Sequence, residues 1–151
     1  MIKLYLVRHG ETDGNAQQWY QGTTDVPLNK TGIIQAECLS RFLEDVHFDA
    51  VYSSTLSRAK RTAEIIAEPH NLFVKAYDDL REINFGVWEK HTYSEITTCW
   101  PGEIEAFYDS EGNMRAHGGE SFRDVEKRIT EKTKELLQQH VSGDTIMIVT
   151  V

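Results

Sequence analysis

Apolar residues fall into two alternating rhythms along this chain. Residues 2–7 form an apolar run broken only by Lys3, the pattern of a short buried strand. Residues 30–45 place Ile33, Ala36, Leu39, Ser40 and Leu43 at helical spacing, with Gly32 near the start. Residues 50–52, Ala-Val-Tyr, predict a second strand. Residues 56–67 predict a helix with Ala59, Thr62, Ala63 and Ile66 on one face, stopped by Pro69. Residues 73–76 predict a third strand. Ser121 followed three positions later by Asp124 resembles a capping box. It opens an amphipathic helix marked by Phe122, Val125, Ile129, Leu136 and Leu137, running to about His140. Residues 145–151 form a last β-rich apolar run. Strand and helix alternate, so the predicted class is α/β, with a mostly parallel sheet flanked by helices. Residues 84–119 break the rhythm, hold Pro101 and several aromatics, and predict a helical insertion that shapes a cleft.

A length of 151 residues predicts a single domain, 1–151. Hydrophobic residues at 40% and charged residues at 26% are ordinary for a soluble globular chain. No apolar run approaches the roughly 20 residues of a membrane helix. Met1-Ile2-Lys3-Leu4 leads straight into the first strand, leaving no room for a signal peptide, so the expected compartment is the cytoplasm. Cys38 and Cys99 lack metal-type spacing and are expected to be reduced core thiols. A net charge of −8 argues against nucleic acid and anionic membranes as partners. It leaves room for a small phosphate ester, because a local arginine cluster outweighs the global field.

The chemistry-bearing residues sit where strands end, the usual place for ligands in open α/β sheets. The first strand ends in Arg8-His9-Gly10. Arg8 offers a planar fork for phosphate oxygens. His9 is a nucleophile that works near neutral pH. Gly10 allows a sharp bend and a close approach to a ligand. Ser53-Ser54 ends the second strand, and Arg58 follows at a helix start, where the dipole is expected to favour an anion. Glu82 follows the third strand. Taken singly, Arg58 or Glu82 reads as a solvated surface charge; their shared position at strand ends singles them out. With two guanidinium groups holding a phosphoryl group in line, His9 can attack while Glu82 protonates the leaving oxygen. His47, His70, His91, His117 and His140 form no metal-type cluster, so neither metal nor cofactor is expected. His117, beside Gly118-Gly119, is placed at the cleft. Adjacent Asp78-Asp79 predict a turn. Trp19, Tyr20, Trp88, Tyr93 and Trp100 predict core or cleft wall.

Arg8-His9-Gly10-Glu11-Thr12 resembles the signature of the histidine phosphatase superfamily, the phosphoglycerate mutase-like proteins. Further segments resemble it in order: Tyr20-Gln21-Gly22, Asp25-Val26-Pro27-Leu28, Thr31-Gly32, Leu56-Ser57-Arg58-Ala59, Leu80-Arg81-Glu82-Ile83-Asn84-Phe85-Gly86 with Trp88-Glu89, and Gly118-Gly119-Glu120-Ser121. Seven such matches in register cover almost the whole chain. The resemblance implies hydrolysis of a small soluble phosphate ester through a phosphohistidine on His9. It also implies Arg8, Arg58 and Glu82 as catalytic partners, and substrate contacts from Arg8, Arg58, Asn15, Gln21 and Gly22. The flavour is that of α-ribazole phosphatases, which suggests α-ribazole 5′-phosphate as substrate. The rival readings are a phosphoglycerate mutase-type phosphotransferase and a catalytically weak phosphate-binding protein.

The pattern departs from the family in two places. After the strand at 146–150 the family carries a second catalytic histidine, and the corresponding position is Val151. That departure predicts phosphate binding that survives better than turnover. Lys90 follows Trp88-Glu89 where relatives carry Gly, and is expected to adjust the cleft rim. An apolar strand at 145–151 with nothing following to cover it also predicts an exposed edge, and a homodimer through it.

Overall fold

The computed structural model describes residues 1–150; Val151, and with it the position of the second histidine, lies outside the described residues. Four strands form one parallel sheet: β1 (Lys3–Arg8), β2 (Ala50–Ser54), β3 (Val74–Tyr77) and β4 (Thr145–Thr150). Their spatial order is β1-β4-β2-β3. A short helix α1 (Asp13–Ala16) and α2 (Lys30–Phe42) connect β1 to β2. Helix α3 (Ser57–Ala67) connects β2 to β3. The return to β4 runs through α4 (Tyr93–Cys99), α5 (Glu103–Asp109) and α6 (Phe122–Gln138).

Strand β4 corrects the expectation of an exposed edge. It pairs with β1 on one side and β2 on the other, in register with Lys3–Arg8 and Ala50–Ser53 respectively. Its apolar run is long because both faces are buried, as in central parallel strands generally. Ile146 and Ile148 face Tyr52, Leu80 and Leu136. Met147 and Val149 face Val51, Ala59, Ala63 and Ile66. The open edges are β1 and β3, where Leu6 and, just before β3, Phe73 are exposed. Residues 145–150 therefore offer no free strand edge of the kind expected to carry a homodimer.

Helix formation follows local chemistry. Seven of the eleven residues of α3 are buried, and most are small or β-branched, so the helix lies close on the sheet. The Ser121–Asp124 capping box forms as read from sequence: Asp124 N–H donates to Ser121 Oγ (3.2 Å) and Ser121 N–H to Asp124 Oδ2 (2.9 Å). Helix α2 stops at Phe42, three residues short of the expected 45, with Leu43 turned into the core. The insertion builds its own core from Ile83, Trp88, Ile96, Ile104, Phe107 and Ala116. Cys38 and Cys99 are exposed, not core residues as expected; they ride on the outer faces of α2 and α4. Asp78 and Asp79 lie in a single 3₁₀ turn, Asp78–Leu80. No helix among the described residues is long and apolar enough to cross a membrane.

Candidate active site

A cavity of about 270 Å³ opens at the carboxyl end of the sheet. It gathers every site residue expected from sequence: Arg8, His9, Asn15, Gln21, Gly22, Arg58 and Glu82. Gln18, Trp19, Tyr20 and Phe85 complete its lining.

His9 stands at the C-terminal end of β1, where its N–H donates to Thr150 O (2.9 Å). Only 8% of its surface is exposed. Its Nδ1 lies 2.6 Å from Gly10 O, so that nitrogen carries the proton. Nε2 accepts from Arg58 Nε (3.2 Å), and His9 lines the cavity. Burial, with Arg58 and Arg8 adding repulsion, pushes the imidazole pKa down to about 4 against the Gly10 carbonyl. The ring is neutral at pH 7. Gly10 serves a different need from the one expected: a side chain there would strike the Gly32 backbone at the start of α2, and its own N–H donates to Thr62 Oγ1 (3.1 Å). The two glycines of the Arg-His-Gly and Thr-Gly segments are thus one close approach of strand end to helix.

Arg58 is almost fully buried, at 1% exposure. Besides His9, it donates from Nη2 to Gly22 O (2.7 Å) and from Nη1 to Thr24 O (2.9 Å). A guanidinium has five N–H donors, so one remains on each terminal nitrogen. The α3 N-terminus is not open to an anion as expected. Asp25 Oδ1 accepts from Ser57 N–H (2.8 Å) and Ser57 Oγ (2.7 Å), capping the helix from a distant loop. Anion attraction in the cavity therefore comes from the two guanidinium groups and not from that dipole. Arg8, exposed at the strand end, makes no side-chain hydrogen bond or ion pair among the described residues.

The loop holding Arg58 is itself held by Glu89. Its Oε1 accepts from Thr23 N–H (2.8 Å), Thr23 Oγ1 (3.1 Å) and Phe85 N–H (3.2 Å); its Oε2 accepts from Thr24 N–H (2.7 Å) and the Thr24 hydroxyl. Gly22 has φ +52, and a Cβ there would run into the Glu89 carboxylate. Lys90 stands at φ +66 and donates its backbone N–H to Tyr20 O (2.9 Å). That left-handed position is the physical reason glycine suits it; the side chain points to solvent.

Asn15 and Gln21 meet at Thr12: the Thr12 hydroxyl lies 2.6 Å from Gln21 Oε1 and 3.0 Å from Asn15 Oδ1. Both amides line the cavity with their NH₂ groups uncommitted among the described residues. Glu82 turns Oε1 onto Ile83 N–H (2.8 Å). Burial raises its pKa; the Ile83 N–H and the charges of Arg58, Arg8 and Arg128 oppose the rise. His117, expected at the cleft, lies outside the lining and pairs with Glu103 (3.4 Å).

Sequence reading missed the roles of Glu89, Glu120 and Arg128. Glu89 and Glu120 both lie in quoted motifs, yet only a long-range contact reveals what they hold.

The histidine phosphatase superfamily (branch 1) pattern matches residues 4–150. Phosphoserine phosphatase 1 of Hydrogenobacter thermophilus is 34% identical over 148 residues, covering 98% of this chain and 70% of the relative. An uncharacterised phosphatase, PhoE, of Bacillus subtilis is 45% identical over 104 residues, covering 69% of this chain and 54% of the relative. The chain thus spans between about half and 70% of the length of these curated relatives. Among solved structures, the α-ribazole phosphatase of Shigella flexneri superposes with a TM-score of 0.88 at 33% identity, covering 97% of this chain and 72% of that one. With its signature histidine, two arginines and carboxylate around one cavity, this chain belongs to the histidine phosphatase superfamily.

Proposed function

We propose that the chain hydrolyses small soluble phosphate monoesters through a phosphohistidine formed on His9 Nε2. The observation that carries this reading is the state of His9: a neutral ring, its Nδ1 proton fixed on Gly10 O, its Nε2 beside Arg58 in a cavity shared with Arg8 and Glu82. The two guanidinium groups neutralise the equatorial oxygens and hold phosphorus in line with Nε2. The ester bond breaks as the N–P bond forms, and protonated Glu82 delivers its proton to the leaving oxygen. The resulting carboxylate then takes a proton from the water that attacks the phosphohistidine. Asn15, Gln21 and the backbone of the Gly22 segment contact the substrate.

For the substrate, the proposal follows the α-ribazole phosphatase likeness: α-ribazole 5′-phosphate or a phosphate ester of similar size. The aromatic lining by Trp19, Tyr20 and Phe85 suits a planar group beyond the phosphate.

The test is trapping. A phosphoryl donor should leave an acid-labile, base-stable label on the chain, and His9→Ala should abolish it. Undiminished labelling of that variant would overturn the assignment.

A further inference from the structure

Glu82 lies in a loop beyond the edge strand, and that loop is held by a residue 46 positions away. Arg128, on α6, donates from Nη1 to Asp79 O (2.9 Å) and Arg81 O (2.7 Å). Its Nη2 donates to Glu82 O (2.9 Å) and Glu120 Oε2 (2.9 Å), and its Nε to Glu120 Oε1 (2.8 Å). All five guanidinium donors are committed, so this group offers nothing to an outside anion. Glu120 completes the clamp. Its Oε2 accepts from Asn84 N–H (2.9 Å), and its own N–H donates to Asn84 O (2.8 Å). The peptide groups on both sides of Ile83 are thereby fixed. Ile83 N–H is the group that holds Glu82 Oε1, and Oε2 is left without a partner among the described residues.

We propose that Arg128, locked by Glu120, is a positioning residue that aims the free oxygen of Glu82 at the leaving group. This rests on the reading of Glu82 as general acid. Proton transfer requires hydrogen-bond reach in the transition state, so a loop that drifts loses the acid without losing the phosphate site. The phosphate is held by Arg8 and Arg58, which Arg128 does not touch. A single ammonium cannot bridge three carbonyls and a bidentate carboxylate, so lysine is not a conservative replacement here.

The experiment compares Arg128→Gln, Arg128→Lys and Glu120→Gln with Glu82→Gln. Each is assayed on aryl phosphates of increasing leaving-group pKa and on an alkyl phosphate, with inorganic phosphate affinity measured in parallel. For Arg128→Gln the alkyl ester should lose roughly 10–100-fold more kcat/KM than nitrophenyl phosphate, part of the 10²–10⁴ that a general acid supplies. Phosphate affinity should stay within about threefold, and Arg128→Lys should not rescue. Amide hydrogen exchange at Ile83 and Asn84 should quicken at least about tenfold while β2 and β4 keep their protection. Glu120→Gln should show the same pattern more mildly, which keeps the test alive where Arg128→Gln folds poorly. An equal loss on every ester, or unchanged exchange at Ile83 and Asn84, would overturn the proposal. If Glu82→Gln itself slows all esters equally, the acid assignment fails instead, and the exchange data still report whether Arg128 holds the segment.

Discussion

The wall of the cavity that carries His9 and Arg58 grows out of the sheet, whereas the wall that carries Glu82 hangs beyond its edge. His9 directly follows β1, which is paired to β4 along its whole length. Arg58 opens a helix with seven buried residues and is braced by two backbone carbonyls. Glu82 follows β3, a strand paired on one side only, and its loop is braced by a helix that arrives much later in the chain. A carboxylate stabilises each wall, Glu89 behind the first and Glu120 behind the second, but the first rests on strand geometry and the second on side chains alone. The wall with His9 and Arg58, the proposed nucleophile and phosphate grip, is thus the rigid half of the site, and the placement of Glu82, the proposed acid, is the adjustable half.

Removing Arg58 breaks the rigid half. Arg58→Gln leaves the Gly22 and Thr24 carbonyls unpaired and takes a cation from the phosphoryl group. Turnover should fall on the order of 10²–10³, the scale for a lost preorganised donor, and by the same factor on aryl and alkyl esters. A loss that depends on the leaving group would blur the two walls into one.

The walls should also respond oppositely to pH. His9 titrates at about 4 in the folded chain and at 6.5 when unfolded. Between those values the unfolded state takes up a proton that the folded state refuses, so stability rises with pH across the window and levels off above it. The full difference is about 3 kcal/mol. Glu82 is shifted upward, so the folded state holds its proton more tightly. Its contribution is present at low pH and is lost as pH rises through the folded value. Urea melts between pH 4 and 7 should show a flatter profile for His9→Asn and a steeper gain with pH for Glu82→Gln.

Glu89→Gln acts on the same wall at a smaller scale. The amide cannot accept at both ends, so the 22–24 loop loosens and Arg58 with it. Stability should drop by about 1.5–3 kcal/mol, and phosphate affinity with it, while the leaving-group dependence stays unchanged. The smallest effect is expected at Lys90. Relieving its left-handed backbone with Lys90→Gly should raise stability by about 1 kcal/mol and leave both walls as they are; a thermal melt checks it.

The rigid wall was largely legible in the sequence because its determinants are local. An apolar run ending in Arg-His-Gly announces both the strand and what it delivers. The capping box at Ser121 is readable for the same reason, since its partners are three positions apart. The edge placement of residues 145–151 was misread because apolarity reports burial, not which neighbours supply it. Only pairing to β1 and β2 tells a central strand from an exposed one. Asp25 stands in a segment shared with the family, but its capping of α3 shows only when Ser57 is seen against it. Arg128 reads as one charge on the polar side of an amphipathic helix, and nothing within several residues marks it as the brace of Glu82. The wall built from distant side chains was the one that sequence pattern could not supply.

The inner position of β4 governs how the chain acquires its shape. Among the described strands β4 separates β1 from β2, so β1 finds no partner in this sheet until residues 145–150 arrive. Closing that pairing joins Lys3–Arg8 to Thr145–Thr150, a long sequence separation that raises contact order and slows folding. During synthesis, β2, α3 and β3 can settle together, while β1 and the His9 it carries wait. The His9 end of β1 is therefore fixed in the sheet only by the insertion of β4, and refolding should restore sheet structure and the His9 environment in the same kinetic phase.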